Sequence, residues 1–230
     1  RVTITLFDVD TKKRRKAAAK AAEQPTRTIT ETELAKPAGG TFSAPQAAPG
    51  EPAPAAAGCT APQAQAARRW LEGGGASAGG QIPFQDGERG NWHYVPRRRR
   101  GVSFGRMTPP QRDSALALVR AGLSRAGAAQ TEGVMALESV LGQLERSRYR
   151  DPLEYALTIF GTPGQAPWGW RLEGHHVSWN VTVAAVESTA PDIVSMTPCF
   201  VGTNPARIPF GPSAGQRLQA QELDLGLALA

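Results

Sequence analysis

The chain has 230 residues, of which 40% are hydrophobic, and it contains 25 glycines and 19 prolines. This composition supplies one full-sized core, and the absence of any run of eighteen apolar residues excludes an ordinary transmembrane helix. The formal net charge of +6 reflects two short basic runs, at residues 12–16 and 97–100. Because no aromatic residues are interleaved with these runs, the charge does not indicate specific nucleic-acid recognition.

Residues 1–66 differ in composition from the rest of the chain. A basic run comes first, and from residue 36 to residue 66 Ala, Pro, Gly and Gln dominate, with hardly an aromatic residue. Such a segment buries too little apolar surface to offset the entropy of ordering the chain. We therefore predict a disordered tail or linker over residues 1–66 and a folded domain over residues 67–230. The chain stops inside the helical pattern LDLGLALA, so we expect the domain to be truncated at its C-terminus.

The folded part begins with helical patterns and then changes to a period of two. Thr108 precedes two prolines and is predicted to cap a first helix, and a second helix is predicted from about Thr131, with Glu138 nearer solvent. From Asp151 onward, EYALTIFG, WGWRL, HHVSWNVTV and DIVSMTPCFVG are typical of four strands separated by short turns. We predict an α+β fold, in which helices pack on one face of an antiparallel β-meander.

Residues 167–183, PWGWRLEGHHVSWNVTV, predict a β-hairpin with its turn at Glu173 and Gly174. In this register Arg171 lies opposite His176. Because side chains alternate along a strand, one face is apolar and the other polar. The apolar face comprises Trp168, Trp170, Leu172, Val177, Trp179, Val181 and Val183. The polar face comprises Arg171, His176, Ser178, Asn180 and Thr182, and we place the functional site there.

Six segments, taken in order, carry a resemblance to a known family: NWHYVPRRRRG, RMTPPQRDSALALV, MALESVL, RDPLEYALTIFGTP, PWGWRLEGHHVSWN and TPCFVGTNPA. Over about residues 67–230 the chain resembles the uncharacterised microbial family called domain of unknown function 3500. The resemblance implies an exported protein, periplasmic or secreted, with more chain at the C-terminus, and this sequence contains no signal peptide. It implies no activity, so function must be argued from the residues.

The three histidines favour a metal site as the first hypothesis. His93, His175 and His176 are predicted ligands for a divalent transition metal such as Zn, Cu or Fe, because imidazole is the commonest ligand for these ions. His93 is expected to converge on His176. Arg171 and Glu173 join His176 as candidate catalytic residues of a metal-dependent hydrolase or oxidoreductase.

A second hypothesis needs no metal. Arg171 is suited to hold a carboxylate, a phosphate or a sugar hydroxyl, and the arginines at 97–100 form the rim of an anion-binding cleft. The substrate-binding candidates are Asn180, Ser178, Trp170 and Arg97. The function is then the binding of a small anion or a saccharide, or hydrolysis without a metal. A triad of Ser178, His176 and Glu173 is disfavoured, because Ser178 and His176 lie about 7 Å apart in an extended strand.

Overall fold

The computed structural model describes residues 56–147, 149–184 and 193–229. Most of the predicted tail, residues 1–55, lies outside them. The unit Phe42–Ala220 contains three helices and all the strands. Its helices are α1 (Ala56–Trp70), α2 (Pro109–Gly122) and α3 (Arg125–Glu145), and its strands are β1 (Gln81–Ile82), β2 (Val102–Ser103), β3 (Ala156–Thr162), β4 (Gln165–Gly174), β5 (Val177–Ala184), β6 (Ile193–Ser195) and β7 (Cys199–Val201).

A last helix, α4 (Ala220–Ala228), lies almost wholly in a second unit of the chain. Glu222 stands in its first turn, where a negative charge interacts favourably with the helix dipole. No helix in the described part of the chain combines the length and the apolar character that crossing a bilayer requires.

The described structure begins before the predicted tail boundary at residue 66, because residues 56–66 form the first part of helix α1. The composition argument counted large apolar residues, but an alanine-rich stretch has high helix propensity, and its small side chains allow close packing. The buried positions recur at helical spacing and end on a tryptophan. They are Gln63, Ala64, Ala67 and Trp70.

The next two helices follow the sequence pattern with one shift. Thr108 is the N-cap of α2, as predicted, and the structure adds a capping box with Gln111; two prolines occupy the first turn. Helix α3 begins at Arg125 instead of near Thr131, because Ser124 caps it by accepting a hydrogen bond from the Gly127 N–H. The helix therefore gains two turns at its N-terminus.

The sheet confirms the α+β class and the central meander, in which β3, β4 and β5 pair antiparallel. The sheet as a whole is mixed, because β1 runs parallel to β3. The fourth predicted strand is divided into β6 and β7, and both pair with β5. The segment NWHYV, which the alternation of its aromatic residues marks as strand-like, is not part of a strand and lies in a loop.

The hairpin between β4 and β5 has a different register from the predicted one. Arg171 pairs with Asn180 and Glu173 with Ser178, so the turn is His175 and His176. His176 has a φ of 61°, a left-handed conformation that non-glycine residues adopt infrequently, and no sequence rule favoured it there. The turn lies two residues further along the chain, so the partner of Arg171 moves by four residues, from His176 to Asn180. Because both numbers are even, the two predicted faces keep their members, and only His176 leaves the polar face.

Both faces of the sheet are covered. Helices α1, α2 and α3 pack on the apolar face, where the Trp170 Nε1 donates to Gln63 Oε1 at 2.9 Å and the Trp179 Nε1 donates to Thr131 Oγ1 at 2.9 Å. On the polar face lie residues 83–101, a loop with one short 3-10 turn, Gly87–Gly90. This loop, called the covering loop below, seals the surface on which the sequence placed the site.

Candidate functional site

Arg171 lies at the centre of the polar face and has no exposed surface. Its Nη1 donates to the Glu88 carbonyl at 2.8 Å, and its Nη2 donates to Glu88 Oε1 at 2.6 Å. The guanidinium also lies 5.3 Å from the ring centre of Phe160 on β3. A buried guanidinium is stable only with charged or hydrogen-bonding partners, so Arg171 fixes the 3-10 turn of the covering loop over the sheet.

Glu173 is the second buried charge on this face and connects three parts of the site. Its Oε1 lies 3.3 Å from Arg171 Nη2 and 4.0 Å from Arg99 Nε. Its Oε2 accepts a hydrogen bond from the His93 N–H at 3.0 Å. One carboxylate from β4 therefore holds both the strand's own arginine and two positions of the covering loop.

The covering loop returns to the sheet at Gly101, whose φ is +85°. A Cβ atom on this residue would collide with Thr158 Oγ1 and with the Leu157 carbonyl of β3. The Thr158 hydroxyl in turn donates to the Arg100 carbonyl at 3.2 Å. Only glycine combines this backbone conformation with so close an approach, and the end of the arginine run is thereby held against β3.

A cavity of about 250 Å³ opens between the covering loop and the end of β4. Its lining consists almost wholly of charged residues, namely Glu88, Asn91, Arg97, Arg98, Arg99, Arg100 and Glu173. Arg99 and Arg171 each have a buried Nε with no acceptor among the described residues. Unsatisfied buried donors are uncommon and costly, so each marks a place where an additional acceptor is stabilising.

Arg99 shows the electrostatic character of this cavity. Its side chain is 4% exposed, and burial lowers the pKa of its guanidinium, while the charge of Glu173 partly opposes that shift. Arg97 and Arg171 add repulsion of like sign. The charged form of Arg99 is therefore incompletely compensated within the protein, and an anion beside it would be stabilised.

A second cluster of charged groups surrounds the hairpin turn. His175 Nδ1 is hydrogen-bonded to Glu138 Oε1 of α3, and Arg150 Nη1 lies 3.4 Å from both ring nitrogens of His175. The Arg150 Nε donates to Glu145 Oε2 at 2.7 Å, and the Tyr155 hydroxyl donates to the His175 carbonyl at 2.6 Å. This network, called the turn cluster below, fastens the C-terminal part of α3 to the hairpin.

His176 faces away from α3. Its N–H donates to the Tyr94 carbonyl of the covering loop at 2.8 Å, and its ring lies 4.0 Å from the His175 ring and 6.2 Å from that of Phe200. Burial lowers the pKa of His176 to about 4, with smaller contributions from the charges of His175 and Arg150. At neutral pH the His176 imidazole is therefore uncharged.

A family model described as "Protein of unknown function (DUF3500)" matches residues 60–230. The chain belongs to this family. No curated protein and no solved structure matches the chain. The resemblance predicted from the sequence is confirmed, and the part of the chain that the family model matches contains the covering loop, the hairpin and the turn cluster.

In the described part of the chain, the three histidines predicted as metal ligands do not form a ligand set. Over the residues that the structure describes, no group of three or more His, Cys, Asp or Glu side chains is arranged to hold a metal ion. The His93 ring pairs with Asn91 Oδ1 at 3.1 Å, while His176 contacts His175 and Phe200. The guanidinium of Arg150 beside His175 also places a permanent positive charge where a metal cation would have to bind.

The remaining predicted site residues divide into three groups. Arg171 and Glu173 are brought together, and Glu173 and Arg97 line the same cavity. Ser178 is fully buried beside them and accepts a hydrogen bond from Asn180 Nδ2 at 3.1 Å. Trp170 is wrongly assigned to substrate binding, because it lies on the opposite face of the sheet, in the core.

Sequence reasoning missed Glu88, Asn91, Glu138 and Arg150. Glu88 and Asn91 belong to a loop without periodicity, so no pattern indicated that their side chains reach β4 or the cavity. Glu138 was predicted nearer solvent but is 5% exposed. A signal was available: an acidic residue one turn after the buried Val134 and one turn before the buried Leu141 occupies the core face of a helix.

Proposed function

We propose that this protein binds a small anionic ligand in the cavity between the covering loop and β4, without a metal. The observation that carries the proposal is the lining of the cavity, to which four consecutive arginines, Arg97, Arg98, Arg99 and Arg100, contribute. Among them, the buried guanidinium of Arg99 has an Nε without an acceptor among the described residues. Carboxylate and phosphate oxygens match the donor geometry of arginine better than other ligand groups do.

The cavity surroundings support the same conclusion. Arg97, Arg98 and Arg100 are exposed at its rim, so they can attract an anion and still adjust to it. The Asn91 Nδ2 donates to Glu88 Oε2 at 2.9 Å. This carboxylate oxygen at the edge of the cavity therefore already has a hydrogen-bond partner within the protein. An anion entering the cavity therefore meets mainly donors.

The test is a titration of the purified chain with inorganic phosphate and with succinate at constant ionic strength, followed by calorimetry and by the thermal unfolding midpoint. A ligand that binds the folded state raises the midpoint in proportion to the logarithm of its concentration. In the double variant Arg98→Gln with Arg100→Gln, binding should weaken roughly tenfold or more.

The matched control is Arg106→Gln with Arg125→Gln, which changes net charge equally at two exposed positions away from the cavity. This control should bind like the unmodified chain. The proposal is overturned if neither anion binds, or if the control loses as much affinity as the cavity variant.

A further inference from the structure

The charges around the cavity separate into a buried set and an exposed set. The buried set comprises Arg99, Arg171, Glu88 and Glu173, whose side chains are at most 14% exposed. Each carboxylate in it is within 4.0 Å of an arginine nitrogen. Two positive and two negative charges cancel, so the interior of the site is neutral before any ligand arrives.

The exposed set comprises Arg97, Arg98 and Arg100, and it includes no carboxylate to balance their positive charge. Their backbone carbonyls are held by hydrogen bonds from Arg99 Nη1, Arg97 Nε and the Thr158 hydroxyl respectively. Over the described ranges 56–147, 149–184 and 193–229, none of the three side chains forms an ion pair. The rim therefore keeps three positive charges on a backbone that is fixed in place.

The volume of the cavity limits how far apart the negative charges of a ligand can lie. Its volume of about 250 Å³ lies below the roughly 300–1,000 Å³ typical of sites for drug-sized molecules. A ligand that fits has few atoms, so its negative charges must be close together. Short dicarboxylates and phosphate monoesters meet both conditions.

From the neutral interior and the uncompensated rim we infer that the ligand is a small multivalent oxyanion, with two or more negative charges. This inference rests on the proposed anion-binding function and narrows it. A monoanion leaves two of the three rim charges without a counterion, whereas a dianion interacts with the rim through both of its charges. Because the buried set is neutral, the preference for a multivalent anion comes from the rim arginines and not from Arg171.

The experiment compares ligands of the same size and different charge. Succinate and succinamate differ by one carboxylate replaced with an amide, and both are titrated into the intact chain by calorimetry at pH 7.5 and constant ionic strength. We expect succinate to bind at least roughly tenfold more tightly than succinamate. Glycerol phosphate against dimethyl phosphate repeats the comparison with phosphate oxygens and shows which oxyanion the site prefers.

A graded series at one exposed position tests the role of the rim. Arg98→Gln lowers its charge from +3 to +2, and Arg98→Glu lowers it to +1. The ratio of succinate to succinamate affinity should fall at each step, while circular dichroism and the unfolding midpoint without ligand stay unchanged. Arg106→Glu, in an exposed position away from the cavity, should leave the ratio as it is.

The outcomes separate this inference from the function on which it rests. If no anion binds, the proposed function fails and the inference fails with it. If succinamate binds as tightly as succinate, the site still binds anions and only the inference is overturned. A ratio that is insensitive to Arg98→Glu also overturns it, because the rim would then not be the source of the preference.

Discussion

The two charged regions at the end of β4 use the same residue types in different ways. In the turn cluster, Glu138 pairs with His175 and Glu145 pairs with Arg150, so the internal partners of its charged groups are other members of the cluster. Around the cavity, a balanced buried set lies beneath three arginines that have no carboxylate partner in the described chain. The first arrangement joins a helix to a hairpin, while the second leaves the positive charge of the rim uncompensated by carboxylates of the described chain.

The difference shows that buried charge by itself does not identify a binding site. Both regions contain a buried carboxylate beside an arginine or a histidine, and the turn cluster contains His175, one of the two adjacent histidines that drew attention in the sequence. What distinguishes the cavity is the space it encloses, the Arg99 Nε without an acceptor, and the surplus of positive charge at the rim. Variants of both regions can test this distinction.

The largest effect is expected from Arg171→Met. This change leaves Glu88 of the covering loop and Glu173 of β4 with one of the two buried arginines of the site missing, and breaking a buried ion pair on one side costs about 3–5 kcal/mol. Unfolding in denaturant measures the loss. The control Arg69→Met, at an exposed position on α1, should stay within about 0.5 kcal/mol. An equal loss in both variants would mean that Arg171 is not the structural centre of the buried set.

Glu138→Gln should have the next largest effect, and it acts on the turn cluster alone. Removing the carboxylate weakens the hydrogen bond to the His175 ring, and we expect a loss of about 1–3 kcal/mol in the free energy of unfolding. Glu132→Gln on the same helix is the matched control. Its pairing with Arg120 is solvent-exposed, so the loss should be at most about 1 kcal/mol. Anion binding should be unchanged in both; reduced binding in Glu138→Gln would mean that the two regions are not independent.

His176→Asn should reduce the pH dependence of stability. The pKa of His176 is about 4 in the folded chain and close to 6.5 in the unfolded chain, so the unfolded state binds more protons between these values. Stability that is fully present above pH 6.5 is therefore lost as pH falls toward 4. Asparagine tolerates the left-handed backbone of this position and does not titrate.

The measurement is the free energy of unfolding at pH 7 and pH 5. The decrease between these values should be smaller in the variant than in the unmodified chain by about 2 kcal/mol. His93→Asn, which alters a ring paired with Asn91 in the covering loop, is the comparison variant. An unchanged decrease in His176→Asn would show that the turn histidine is not desolvated as the structure indicates.

The smallest effect on stability is expected from Arg98→Gln. Its side chain is exposed and pairs with no carboxylate in the described part of the chain, so the free energy of unfolding should change by less than about 0.5 kcal/mol. The same variant should reduce anion affinity. Stability and binding would then respond to different arginines, Arg171 for the first and the rim for the second. A loss of stability comparable with that of Arg171→Met would contradict the division.

Much of the fold follows from local pattern. The N-cap at Thr108, the period-two segments of β3, β4 and β5, and the two hairpin faces are encoded within a few residues, and each is confirmed. The parallel pairing of β1 is not encoded within a few residues, because it joins Gln81 to Ile159, and these residues are 78 positions apart in the sequence. The hairpin register also depends on more than local sequence, since a shift by two residues leaves the faces unchanged.

The candidate site was predicted only in part, for a related reason. Arg171 and Glu173 are visible as charges on a strand, but their partners come from an irregular loop whose course no periodicity describes. The pair His175 and His176 looked like the chemical centre because histidines are rare in the chain. The left-handed turn at His176 takes that residue off the polar face, and the buried carboxylate of Glu138 is hydrogen-bonded to His175.

The lengths of the strands have a consequence for association between copies of the chain. Three long strands form the middle of the sheet, while its outer pairings are made by β1, β2, β6 and β7, each of two or three residues. A long unpaired edge would present a row of free N–H and C=O groups on which a strand from another molecule could assemble. Over the residues that the structure describes, each edge is divided into short pieces, so a second chain finds no continuous row to extend there, and the central strands are protected from strand-by-strand aggregation.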